Sequence, residues 1–498
     1  MELFYSALGL FNSPTVFVAL LIGGIWGTIA GVLPGMGTVA ALIIALPFTF
    51  AMPTESAMAL FMAIYVTSVY GGSISAILIN TPGTPQSAAT VLDGYPMAQA
   101  GKADLAIGWA TLASFIGGVF SLIILIVAAP ALARVSVAFG PSAIFAIVLF
   151  ALTCIAWLSS GSMAKGLLGG VLGLFLTTVG QDNYTGMTRF SFGSDIMRGG
   201  FTLIPILIGL FALSEVYHRA LLHGANRTGA EMNVGFRLPP LAQVIARWKE
   251  LLRACSIGTF IGILPGTGAM AATFVSYTAA KKFSPNRDKL GTGEPDGLIA
   301  SEASNNAVTG GALIPTMALG IPGDGGTLVL LGVLTIKGIV PGFDLVNNNP
   351  HILTAAFMMV LLANIIMFGT GMLSARLFER LLRVPEPILM GLILLFSLVG
   401  AFVVRGNPVD LIVCVVAGAV GVLLRLAKYP IAPIVIGVAL GFIFEEKLRQ
   451  GLIASKGNVW TFITDPIALP IFALTAVIIA ATVIGNLRQF PQTKALKE

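Results

Sequence analysis

Residues 27–50 read GTIAGVLPGMGTVAALIIALPFTF, and residues 258–281 read GTFIGILPGTGAMAATFVSYTAAK. Each copy sets a Leu-Pro-Gly-x-Gly string inside a strongly apolar stretch. Such a string cannot continue a helix, because Pro34 and Pro265 lack an N–H and the glycines favour dihedrals outside the helical region. At bilayer depth the freed main-chain groups need partners. An interrupted helix is tolerated there only where it is buried in protein or faces a wet cavity. A matched pair of interruptions is the mark of a transporter built from two repeats, and it points to the breaks as the binding site.

The rest of the chain supports a membrane setting. Of its 498 residues 56% are hydrophobic and 10% are charged, whereas soluble domains carry about 25% charged residues. The mean hydropathy is +0.93. Residues 105–133, 135–164 and 466–487 contain no charge at all, and each run exceeds the roughly 20 apolar residues that a bilayer core requires. The expected fold class is an all-α integral membrane protein with about ten to twelve transmembrane helices plus re-entrant or broken helices, arranged as two inverted-topology repeats. The opening MELFYSALGL has no basic segment and no small-residue cleavage site, so the first apolar stretch reads as retained. Cys154, Cys255 and Cys414 lie far apart without metal-ligand spacing and read as reduced packing residues. The net charge of +6 comes from Lys and Arg in loops beside apolar runs, which argues for cytoplasmic loop bias and against nucleic acid.

That bias also orients the halves. No Lys or Arg precedes Lys102, whereas the central loop holds Arg219, Arg227, Arg237, Arg247, Lys249 and Arg253 and is expected to be cytoplasmic. The first Leu-Pro-Gly hairpin is followed by AMPTES, the second by Lys281, Lys282, Arg287 and Lys289. Equivalent ends therefore face opposite sides, which favours inversion over a parallel duplication. A second repeated feature joins the first: YGGSISAILINTPGT at 70–84 matches TGGALIPTMALGIPGD at 309–324, with Pro82 and Pro322 240 residues apart. The organisation read from this is 1–217 for the first repeat, 218–252 for the basic loop, 253–350 for the core of the second repeat, and 351–498 for bracing helices and a short basic tail.

Convergence of the four Pro-Gly breaks would present helix N-termini, whose free N–H groups and positive dipole ends suit a carboxylate. Unwound carbonyls would suit a cation. One such motif would be accounted for by helix packing; four in matched pairs point to a site. The substrate-binding candidates are Gly35, Gly37, Asn80, Thr81, Pro82, Gly83, Thr84, Gly266, Gly268, Asn305, Asn306, Pro322 and Gly323. Coupling-ion candidates are Glu302, Ser304, Asn305 and Asp324. The adjacent amides Asn305 and Asn306 need partners in apolar surroundings, whether a ligand or another helix. Glu302 follows the charged stretch KLGTGEPDGLIAS, so the end of an interfacial loop is favoured for it over a proton carrier, while Asp324 stands directly after a break. No enzyme is expected. GVLPGMGT lacks the phosphate-loop lysine, and His218, His223 and His351 have no nucleophile or structural metal constellation around them.

Together with SEASNNAVTGGALIPTMALGIPG and LLGVLTIKGIVPG, these strings resemble the large membrane subunit of the tripartite tricarboxylate transporters, over nearly the whole chain. The resemblance implies a multi-pass protein of the bacterial cytoplasmic (inner) membrane, surrounded by membrane lipid, that imports a tricarboxylate or dicarboxylate. It implies a periplasmic solute-binding protein and a small membrane subunit of about four helices as partners. It implies a Na⁺ or H⁺ gradient as the energy source and no cofactor. The family's motifs fall on Gly31, Pro34, Gly35 and Gly37, on Asn80 to Thr84, on Gly262, Pro265, Gly266 and Gly268, and on Asn305, Asn306, Pro322 and Gly323. Asp324 departs from the small neutral residues usual there, which bears on the substrate or the coupling ion. The alternative is a stand-alone ion-coupled carboxylate or ion exchanger.

Overall fold

The uncharged runs fold as helices, and their interruptions fall where proline and glycine stand. The computed structural model describes residues 9, 11, 13–33, 36–136, 138–158, 163–182, 185–221, 235–265, 268–381, 386–403 and 405–489. Pro34, Gly35 and Gly266, three of the expected break residues, lie outside them. The helices in chain order are α1 (Pro14–Val32), α2 (Gly37–Thr49), α3 (Thr54–Ile79), α4 (Val91–Gln99), α5 (Ala103–Ser136), α6 (Pro141–Leu158), α7 (Met163–Thr177) and α8 (Leu203–Leu221). They continue as α9 (Trp248–Ile263), α10 (Gly268–Phe283), α11 (Pro295–Leu319), α12 (Gly325–Ile336), α13 (Pro350–Leu381), α14 (Glu386–Val403), α15 (Pro408–Leu426), α16 (Ile431–Ala454) and α17 (Ala468–Gln489). Among the described residues the strand content is one two-stranded ladder, Gly180–Gln181 against Thr188–Arg189.

Among the described residues six helices, α1, α3, α5, α8, α13 and α15, contain stretches long and apolar enough to cross a bilayer, and there are shorter apolar helices besides. The chain is an all-α, multi-pass membrane protein. Proline begins α1, α6, α11, α13 and α15, where its fixed φ suits the first turn and its missing N–H removes no helical bond. Large apolar side chains stay exposed along α7 (Leu168, Val171, Leu172, Phe175) and α15 (Ile412, Val415, Val416, Leu423), as a lipid-facing surface requires. Cys154, Cys255 and Cys414 are free thiols packed in the interior.

The two matched segments build matching crossings. In the first, α1 lies along α3; in the second, α9 lies along α11. A Cβ on Gly31 would sit 2.9 Å from the Gly71 Cα, and one on Gly262 would sit 3.0 Å from the Gly311 Cα. One helical turn earlier the pattern recurs: a Cβ on Gly27 would meet the Ile64 carbonyl oxygen at 2.7 Å, and one on Gly258 the Ser304 Cα at 2.7 Å. Backbones this close gain dispersion and leave no room for side chains, which is why small residues repeat every fourth position. The long polar helices then exchange partners, α3 packing on α13 and α11 on α5. The helices α8 and α14 flank α2, with α15 packed on both of them, while α6, α7, α16 and α17 form a group of their own.

Gly31→Ala should lower thermal stability of the purified chain by about 1–3 kcal/mol through overpacking. Gly369→Ala on α13, with nothing within 4 Å of the added Cβ, should not. Equal melting shifts in the two variants would contradict the close-crossing account.

Candidate functional site

Both long polar helices end by the same device. α3 stops at Asn80, which adopts a left-handed φ of 54°, and α11 stops at Gly320 with φ 69°, 240 residues later. At α11 the Gly320 N–H returns to the Thr316 carbonyl (3.1 Å), closing an αL cap, and the Ile321 N–H reaches the Pro315 carbonyl (3.3 Å). The chain then folds back over its own helix. The Gly83 N–H donates to the Gly72 carbonyl (3.1 Å), and the Gly323 N–H to the Thr316 hydroxyl (3.2 Å). A Cβ on Gly83 would lie 2.9 Å from the Gly72 Cα, and one on Gly323 2.5 Å from the Ala312 Cα, so both turns require glycine.

These returns bring the interrupted helices to one cavity of about 630 Å³. The first turns of α2 (Gly37 to Ala40), α10 (Ala269, Met270) and α12 (Gly325, Gly326) line it, together with Thr81 to Gln86 from the first return. No side chain caps α2. Its terminal N–H groups and dipole face the cavity as a ready anion site, and α10 begins against the same space. α12 differs, because Asp324 caps it. Its Oδ1 accepts from the Thr327 N–H (2.8 Å), the Thr327 hydroxyl accepts from the Asp324 N–H (2.9 Å), and the Tyr65 hydroxyl donates to Oδ2 (2.8 Å). The equivalent residues in the first half, Thr84 and Ser87, pair through their hydroxyls at 3.0 Å. Asp324 therefore replaces a neutral cap with an anion at one of the helix ends.

The other wall comes from α8, α14 and α15. A π-helical segment, Gly209–Leu213, interrupts α8 and presents Phe211 and Ala212 to the cavity, with Glu215 and Arg219 following. Gly209 permits the accompanying close crossing with α15 at Ala417 and Gly418. Arg219 Nε donates to Glu215 Oε1 at 2.6 Å, and Arg425 reaches the other carboxylate oxygen. Arg425 Nε is buried without a partner, as is Gln86 Oε1. Two guanidinium groups thus share one carboxylate at the rim. The cavity offers cationic and N–H donors for a carboxylate ligand beside acceptors that suit a cation. Among the described residues no group of three His, Cys, Asp or Glu side chains is placed to hold a metal ion.

Several expected residues stand elsewhere. Of the candidates, Gly37, Thr81, Pro82, Gly83, Thr84 and Asp324 line the cavity, and Gly268 opens α10 beside it. Asn80 is an exposed helix cap, and Pro322 and Gly323 are buried in the return behind Asp324. The Ser304 hydroxyl bonds back to Ala300 at 2.6 Å within α11. Asn305 donates to the Val69 carbonyl (3.3 Å) and Asn306 contacts the Met367 sulfur (3.0 Å), each leaving its own amide oxygen buried and unpartnered. Glu302 corrects the interfacial-loop expectation. α11 already begins at Pro295, and Glu302 lies fully buried within it, accepting from Ser73 (2.6 Å), Ser114 (3.1 Å) and Thr90. Glu215, Arg219, Arg425 and Phe211 were missed. Arg219 and Arg425 fall near helix ends, where topology alone accounts for Lys and Arg, and Phe211 and Glu215 carry no local signal.

Comparison with known proteins finds a family and two relatives. The family model described as the tripartite tricarboxylate transporter TctA family matches residues 17–436. An uncharacterized 52.8 kDa protein in the TAR-I ttuC' 3' region of Agrobacterium vitis is 33% identical over 479 residues, covering 96% of this chain and 95% of that protein. An uncharacterized protein in the TAR-II ttuC' 3' region of the same organism is 31% identical over 232 residues, 46% of this chain and 96% of its own length. No solved structure matches the chain.

Asp324→Ala removes the cap of α12 and the acceptor for the Tyr65 hydroxyl. It should destabilise the purified chain by about 1–2 kcal/mol, and Asp324→Asn by less, as thermal unfolding can check.

Proposed function

The chain belongs to the tripartite tricarboxylate transporter TctA family, and from that membership we propose that it is the large membrane subunit of a secondary active transporter importing tricarboxylates or dicarboxylates on a Na⁺ or H⁺ gradient. Tripartite transporters work with further subunits, here taken to be a periplasmic solute-binding protein and a small membrane subunit in the bacterial cytoplasmic membrane. The single observation that carries the reading is the cavity to which the first turns of α2, α10 and α12 converge. An anion seated there would meet the N–H groups of α2 and α10, the Thr81 and Thr84 hydroxyls and the Arg219 and Arg425 guanidinium groups.

Asp324 bears on the ligand's charge. A carboxylate on the substrate close to it would be repelled unless a cation or proton lay between them. That favours a carboxylate accompanied by a coupling cation, and it favours a ligand whose charged ends are directed to α2, α10 and the arginines. Transport would proceed by alternating access, with two oppositely oriented halves exposing the cavity to one side and then the other. The repeated crossings at Gly31 and Gly262 support rigid hairpins as the moving units.

The test is uptake of labelled citrate and succinate into vesicles containing the assembled transporter, with and without an imposed Na⁺ or pH gradient. Accumulation of one of them on a gradient is expected, and uptake indifferent to both gradients would reject coupled transport. Pro82→Ala and Arg425→Ala should each depress that uptake while membrane insertion is retained. Arg425→Lys should recover only part of it, since a lysine cannot reproduce the planar donor set.

A further inference from the structure

Among the described residues six acidic residues are buried, and Asp324 is half-buried at the cavity; one of these seven is unlike the rest. Asp182 is held by Arg449 (2.9 Å), Asp296 by Arg247 (2.8 Å), Asp410 by Arg405 (2.6 Å) and Glu250 by Arg253. Asp93 accepts from the N–H groups of Gly291, Gly293 and Glu294, each at 2.9 Å, and from the Tyr277 hydroxyl (2.7 Å). Asp324 accepts the Thr327 N–H. Guanidinium and backbone N–H groups can only donate, so each of these six carboxyl groups has at least one oxygen held by an obligate donor. Glu302 has neither. Among the described residues it is in no ion pair, and its three partners, Ser73, Thr90 and Ser114, are all hydroxyls.

A hydroxyl accepts as readily as it donates. Three of them can turn their protons toward a carboxylate, and one can turn away to receive the proton of a carboxylic acid, with no heavy atom displaced. An uncompensated carboxylate at a fully buried position is expensive, whereas the neutral acid is not. The cage around Glu302 therefore serves both forms.

The same cage leads to the cavity. The Ser73 Oγ that donates to Glu302 lies 3.5 Å from Ser87 Oγ, and Ser87 Oγ lies 3.0 Å from Thr84 Oγ1, which lines the cavity. Ser73, Ser87 and Thr84 are all buried, so the row is shielded along its length. The 3.5 Å step is the long link. Thr90, which also touches Glu302, belongs to the same return as Thr84.

We propose that Glu302 is a reversible proton-binding site, loaded from the substrate cavity through the hydroxyls of Thr84, Ser87 and Ser73. Each hydroxyl passes its own proton inward and receives one from the neighbour nearer the cavity. The net step is one proton from cavity water added to one carboxylate, with nothing oxidised or reduced. The buried titratable groups on elements packed against α11 already have other tasks. Tyr65 on α3 donates to Asp324, Tyr70 on α3 pairs with Thr111 (2.8 Å), Asp93 on α4 pairs with Tyr277 on α10, and Glu250 on α9 pairs with Arg253. Cys255 on α9 is a buried free thiol. Asp104, at the start of α5, pairs with Arg237 (3.1 Å). Of these, Tyr70 stands in the field of Glu302. Protonation would loosen the hold of Glu302 on Thr90 and so on the return that walls the cavity. The inference rests on the carboxylate-transport reading for its purpose, though not for its chemistry.

Infrared titration of the purified full chain tests the chemistry without any substrate. A carboxylic-acid C=O band that disappears as pH rises should be present in the wild type, absent in Glu302→Gln, and shifted in Glu302→Asp. Persistence of that band unchanged in Glu302→Gln, or a band that responds to Na⁺ at constant pH, would overturn the assignment. In vesicles holding the assembled transporter, Glu302→Gln should lose pH-driven accumulation of labelled citrate or succinate. Ser87→Ala should slow it with the infrared band intact. Accumulation by Glu302→Gln equal to wild type would also overturn the proposal. If wild type transports neither carboxylate, the substrate reading fails while the infrared band still decides Glu302.

Discussion

A main-chain N–H or carbonyl set free in a hydrocarbon medium must find a partner within the protein or in water. Everything distinctive in this chain follows from breaking that ladder deliberately and then repairing it. The repair is local. Asn80 and Gly320 enter the left-handed region to end their helices, and Gly83 and Gly323 let the returning strand lie on the helix it has just left. The first turn of α2, which no side chain caps, faces the cavity.

Close approach of backbones is the second condition. The returns reach one place only because α1 and α9 lie almost in contact with α3 and α11, through Gly31 against Gly71 and Gly262 against Gly311. The apolar surface of lipid gives helices little reason to associate, so such crossings depend on packing density. The likeness of the two segments is thus written twice, in the breaks and in the glycines that bring the breaks together.

Much of this was legible in the sequence, for physical reasons. Proline and glycine inside apolar runs mark interruptions whatever the tertiary context, and uncharged runs of bilayer length mark helices. The partners of a side chain are another matter. Glu302 is bound by residues 229, 212 and 188 positions away, and no local pattern announces three hydroxyls closing on one carboxylate. Asn80 read as a ligand because an amide beside a break looks like one; its backbone conformation explains it instead. Arg219 and Arg425 escaped notice because charges near helix ends are expected from topology. The π-helical segment at Gly209–Leu213, which presents Phe211 to the cavity, has no sequence signature that the apolar run around it would betray.

The grip on Asp93 has a mechanical meaning. Three main-chain N–H groups from the Gly291 to Glu294 loop and the Tyr277 hydroxyl fasten that residue, and no room remains at Gly297 for even a methyl group beside it. The far end of the return is thereby riveted to the opposite half of the molecule, while its near end borders the cavity. One short segment is thus anchored at Asp93 to the Gly291–Glu294 loop and opens at Thr84 on the cavity, like a short lever with a fixed fulcrum.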